Sequence, residues 1–197
     1  MRKIIISAAA LLSVFLSGCG MISVPETYPM PVDPYHPVNE EDLRFGECSI
    51  SVGDEVNISG QGAWFGENDD IRITKGGTYN ISGTLSGGIS VDTEEPVKLV
   101  FVNADITNEK GSVVTSAAEK LIICSDGSST LKGSGGDYGC AVHSDGSVVI
   151  AGTGSLSIDG GIFSRQNILF GRNVSTICEI AETADGEMIT GTLYVNR

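Results

Sequence analysis

Asp92, Glu94 and Glu95 fall within one short stretch, "VDTEEPV", and Asp145 stands in a later one, "HSDGS". Carboxylates grouped this way can hold a hard cation. Calcium takes about 6–8 oxygen ligands, so neither stretch suffices alone. The four residues form a candidate calcium site only if the fold brings Asp145 beside Asp92, near the corner that also holds Ser116. Taken singly, an aspartate next to glycine or asparagine is an ordinary turn former.

Flat rings and planar polar groups are the usual means of holding a sugar. Tyr138, in the glycine loop "KGSGGDYGC", and Phe163, in "GGIFSRQ", are the candidate carbohydrate platforms. A lyase would need a basic residue beside a metal cluster, to take the proton that the cation acidifies. Arg165 alone falls at a corner, and no arginine stands beside a dense aspartate cluster. His36 and His143 have no nucleophile at a telling spacing. His143 matches Phe163 in the repeat described below and reads as a column residue. Binding without catalysis is therefore the expectation, and an adhesive or structural surface that binds protein is the alternative.

Acidic residues number 25 against 12 basic ones, a formal net charge of −13. Such a chain repels nucleic acid. It would also repel an acidic polysaccharide unless a cation bridged the two.

The chain opens "MRKIIISAAALLSVFLSGCG". A basic start, a short apolar run and small residues before a cysteine mark residues 1–18 as a secretory signal peptide. The ending "LSGC" resembles the lipobox of bacterial lipoproteins. That resemblance implies cleavage before Cys19, a lipid on its thiol and a place on the cell surface, anchored in the membrane. More than one acyl chain on a residue anchors stably. Residues 19–45 hold Pro25, Pro29, Pro31, Pro34 and Pro37 and read as an extended tether. Residues 46–197 remain as one domain, expected to act as a monomer. Cys48, Cys124, Cys140 and Cys178 lie in it, and an exported chain permits disulfides between them. No Cys/His spacing suggests zinc.

These residues must be positioned by β-structure. After residue 45 no stretch shows a convincing helical apolar period. Short apolar runs punctuated by Gly, Asn and Asp dominate, so the body is all-β. Corner residues Asn80, Asn103, Asp126, Thr153 and Asn173 each follow an apolar run, and they recur roughly every 20–27 residues. Glycine or small residues before a short strand, as in Gly87-Gly88-Ile89 and Gly160-Gly161-Ile162, recur with a similar period. A β-sandwich would not repeat one corner class at a multiple-strand period. The pattern predicts a parallel β-helix of about five short coils, with an irregular N-terminal cap over 47–77 that includes Trp64 and Phe65. The five corner residues should then stand in a ladder, where φ > 0 is cheapest for Asn among non-glycine residues. Two apolar columns compete for the inside. One holds Val100, Ile123, Ile150 and Phe170; the other holds Leu99, Ile122, Val149 and Leu169. The one left outside would be an apolar stripe on an outer sheet face.

The stretches "GGTYNISGTLSGG", "VKLVFVNADIT", "GSVVTSAAEKLIICSDGSSTLKG" and "CAVHSDGSVVIAGTGSLSIDGGIFSRQNI" resemble the bacterial carbohydrate-binding-domain lipoproteins over roughly residues 48–176. The resemblance implies a right-handed parallel β-helix similar to that of pectate lyases. It also implies calcium-assisted binding of plant-cell-wall polymers such as cellulose and polygalacturonate. Asp145-Gly146-Ser147 and Arg165-Gln166-Asn167 stand where acidic or lysine-rich corners are usual in that family.

Overall fold

The computed structural model describes residues 47–66, 69–133, 139–171, 175–178, 180–184 and 188–190. Cys19, the segments 1–18 and 19–45, Tyr138 and Asn173 lie outside them.

Two hairpins begin the domain: β1 (Glu47–Val52) with β2 (Asn57–Ser59), and β3 (Ala63–Phe65) with β4 (Ile71–Ile73). The chain then winds. β5 (Gly77–Ser86), β6 (Ile89–Val91) and β7 (Val97–Asn108) come first, with β5 and β7 each bent at a corner. β8 (Val114–Ser116), β9 (Lys120–Asp126) and β10 (Ser128–Gly133) form the next turn. β11 (Val142–Ser144), β12 (Ser147–Gly152) and β13 (Ser155–Asp159) repeat it. So do β14 (Ile162–Ser164), β15 (Ile168–Phe170) and β16 (Ser175–Cys178). β17 (Ile180–Thr183) and β18 (Met188–Thr190) close the series.

Every strand of one turn pairs in parallel with its counterpart in the next. Sheet B stacks β4, β6, β8, β11, β14 and β17. The first half of sheet A stacks β5, β7, β9, β12 and β15, and the second half stacks β7, β10, β13 and β16. This is the expected all-β parallel solenoid. A β-sandwich would show antiparallel neighbours throughout. Antiparallel pairing occurs here only at the ends, in β1–β2, β3–β4 and β17–β18, among the described residues.

The register settles which column is inside. Tyr79, Leu99, Ile123, Ile150 and Phe170 are Cα partners in succession, and each is buried. Leu99 thus replaces Val100 in the column that sequence spacing assembled. Val100 instead pairs with Cys124, and Ile122 with Val149 and Leu169, all on the outer face. The cause is one extra residue. Asn103 is a bulge opposite the Ser82–Gly83 step, and counting from it shifts the register by one. A one-residue slip exchanges the two faces of a strand.

The corner ladder holds in part. Asn103 adopts φ 49°, as an αL corner requires. Its Oδ1 accepts the backbone N–H of Ser128 at 3.1 Å, and the Ala104 N–H freed by the bulge donates to Ser129 Oγ at 3.1 Å. Asp126 pairs with Val102, one place short of that bulge. Asn80 is not in the ladder: it sits mid-strand opposite Val100, and the corner of its turn is Gly83, at φ 93°. Glycine also takes the positive φ after Asp126, at Gly127, and before Thr153, at Gly152. A second column went unread. Ser116, Ser144 and Ser164 are buried where sheet B ends. Ser116 Oγ accepts from the Ala118 N–H, and Ser164 Oγ from the Gln166 N–H, each turning the chain toward sheet A.

Candidate functional site

In β4, β6, β8 and β14 of sheet B the two end residues are buried and the middle one is turned outward, while in β11 all three are buried, His143 at 6% exposure. Parallel register lines up one equivalent residue per turn on the outer side of sheet B: Arg72, Ser90, Thr115, the buried His143, Phe163 and Glu182. At the N-terminal end β3 adds Trp64 opposite Arg72. From Trp64 to Phe163 the row crosses five strand spacings, about 24 Å at roughly 4.8 Å each.

The row carries a group at each end. Trp64 is 48% exposed, and the Arg72 guanidinium lies 5.7 Å from its ring centroid, within reach of a cation–π contact. Arg72 also pairs with Asp92 at 3.4 Å, and Ser90 Oγ donates to Asp92 Oδ1 at 2.9 Å. At the other end the His143 and Phe163 rings are 5.2 Å apart and tilted by 39°. Asp145 Oδ1 accepts Arg165 Nε at 2.7 Å and lies 3.7 Å from His143 Nε2. Each end thus presents an aromatic ring, a carboxylate and an arginine. Between them stand only Ser90, Thr115 and, at the corner, Ala117. Both ion pairs are about half exposed, so their worth to stability is about 0–1 kcal/mol. Their value is geometric: each fixes a planar fork of donors beside a ring.

The four proposed calcium ligands do not converge. Asp92 follows Val91, Ala117 follows Ser116 and Asp145 follows Ser144, and these three predecessors are register partners. Ala117 therefore separates the two aspartates, which stand two strand spacings apart, about 10 Å. An arginine already occupies each one. Glu95 Oε2 turns back to accept the Gly76 N–H at 2.6 Å, and Glu94 is exposed in the same loop. Among the described residues no group of three or more potential metal ligands exists. This donor set does not fit a cation that takes about 6–8 oxygens at close range.

Phe163 is half-buried on the outer face of sheet B. Its match with His143 holds, since the two are Cα partners. Arg165, the candidate base, is held by Asp145, with no other carboxylate paired to it among the described residues. Trp64, expected from sequence in the N-terminal cap, lies there in the antiparallel end strand β3, and it is also the exposed ring that continues the outer row. The row's signal was present in the middle residue of each short strand, "IRI", "ISV", "VTS", "VHS" and "IFS". The antiparallel hairpin that adds Trp64 to that row has no repeat to announce it.

No curated protein and no solved structure matches the chain significantly. Residues 67–191 match the family model described as carbohydrate-binding domain-containing protein. That span takes in sheet B from β4 to β18, and with it Arg72, His143 and Phe163. The chain belongs to this carbohydrate-binding domain family.

Proposed function

We infer that the protein binds an extended polysaccharide along the outer face of sheet B and does not transform it. The observation that carries this reading is the single row with Trp64 and Arg72 at one end and His143 and Phe163 at the other. Rings of this kind stack on the apolar face of a pyranose, and the adjoining arginine–aspartate pairs match vicinal hydroxyls as donor and acceptor. A fibrous glycan is periodic, as the row is.

The net charge of −13 favours a neutral polymer of the plant-cell-wall type over an acidic one. A cation bridge through Asp92, Glu94, Glu95 and Asp145 has no support in their positions, so the reading rests on stacking and hydrogen bonds. With a lipid on Cys19, the domain would display this face at the cell surface.

Retention on insoluble polysaccharides tests the reading. Cellulose should retain the protein with or without chelator, and Trp64→Ala together with Phe163→Ala should release it. Retention that survives both substitutions would move the site elsewhere. Retention on no glycan would favour the protein-binding alternative. Appearance of unsaturated sugar products would make the protein a lyase.

A further inference from the structure

The outer face of the first half of sheet A is apolar and buried, yet no described element lies over it. Ile122, Cys124 and Val149 point away from the solenoid interior and retain 2%, 8% and 7% exposure. They form a hydrophobic cluster separate from the main core, with Val100, Ala151 and Leu169 packed around them. The corresponding row on sheet B is polar and more open, exposed at Thr115 and half-buried at Ser90, with only His143 as low as 6%. All described strands belong to the two sheets or to the end hairpins.

We propose that residues 20–46 of this same chain lie across this face as a strap. Glu47 pairs with Thr78, Thr78 with Lys98, Lys98 with Ile122, Ile122 with Val149 and Val149 with Leu169. The residue at which the N-terminal segment joins the domain therefore heads the very column to be covered. The C-terminal stretch departs from β18, in sheet B. From Glu47 to Leu169 is five strand spacings, about 24 Å. Twenty-seven residues extended at about 3.1 Å each reach about 80 Å, ample for the crossing.

Composition fits the position. The segment offers Met30, Val32, Tyr35, Val38, Leu43 and Phe45 among its prolines. Proline cannot donate to a ladder, so such a segment packs over a face by its side chains and does not extend a sheet edge. Its acidic run Glu40-Glu41-Asp42 suits Lys98 and Lys120, which border the face half-buried. The proposal is independent of the glycan reading, since it concerns the other sheet. A tether bound there would fix how the domain stands relative to its anchor and leave sheet B open.

A photo-crosslinking amino acid at Leu169 in the full chain, followed by peptide mapping, tests this. The expected product joins position 169 to a peptide within 20–46. The same residue at Val100, near the opposite end of the face, repeats the test if the first variant folds poorly. Crosslinks to a second copy, to residues 185–197, or to nothing would overturn the strap. As an independent readout, Val149→Asp should raise protease cleavage within 20–46 by about tenfold, the factor given by ~1.4 kcal/mol of lost docking. Unchanged cleavage would likewise count against it.

Discussion

Asn103 and Ser128 are joined across turns: the Asn103 Oδ1 accepts the Ser128 backbone N–H at 3.1 Å while Asn103 itself holds φ 49°. One side chain thus satisfies the backbone of the next turn and tolerates the strained corner. Asn103→Ala should lose both, costing about 1–3 kcal/mol in urea unfolding. Asn103→Gly keeps the conformation and should cost less. Asn80→Ala, mid-strand, should stay within about 0.5 kcal/mol. Equal losses at Asn80 and Asn103 would contradict the register.

Trp64→Ala and Phe163→Ala should each weaken glycan binding by about threefold to tenfold, the range that roughly 0.5–1.5 kcal/mol per stacked ring gives. Trp64 is half exposed on the end strand, so its melting midpoint should move little. Titration calorimetry with soluble oligosaccharide, beside a thermal melt, separates the two effects.

Arg165→Gln removes the 2.7 Å contact to Asp145. Both partners are about half exposed, so stability should fall by no more than about 1 kcal/mol. Affinity for glycan should drop more than stability does, because the fork beside Phe163 is lost. A variant that binds like the parent would leave the pair a surface ornament.

Any rise in melting midpoint on adding calcium should persist in the double variant Asp92→Asn, Asp145→Asn, since these two carboxylates stand two turns apart with an arginine on each. A ligand that binds only the folded state raises the midpoint. Loss of the rise in the variant would restore the four-carboxylate site.

Burial pushes the Tyr79 phenol up to about 12, with the charges of Cys48 and Glu95 adding to the rise. Its hydroxyl donates to the Lys75 carbonyl at 2.8 Å. An unfolded tyrosine ionises near 10, so above that pH the unfolded chain releases a proton that the folded one keeps. Stability is therefore full below about pH 10 and falls by about 2–3 kcal/mol on the way to 12. Tyr79→Phe should be less stable at pH 7 by about 1 kcal/mol for the lost hydrogen bond. Its stability should then decline less steeply across that window, as chemical denaturation at stepped pH would show.

The solenoid was legible because its evidence is redundant: glycine pairs, corner residues and apolar runs recur together. Register was not, because it hangs on single residues. Treating Asn103 as the equal of Asp126 hid a bulge and placed Val100 with Ile123, where Leu99 belongs. The outer row was half legible. His143 and Phe163 share a repeat position, and both were read so. Trp64 joins them through an antiparallel strand outside the repeat, which periodicity does not reach. The carboxylates misled for a physical reason. Asp92 and Asp145 do occupy equivalent corners, but Ala117 fills the corner between, and arginines one turn away at Arg72 and Arg165 answer their charge.

β2, β3 and β18 each run against the strand they cap. The rim of a parallel stack is a template: any strand of like polarity can be added, and another molecule could supply it. A reversed final strand presents the wrong pattern of donors and acceptors for that growth. At the N-terminal pole both sheets therefore end in a strand turned against further growth of the same polarity; at the other pole β18 does this for sheet B, while β15 and β16 stand as the parallel edges of sheet A among the described residues.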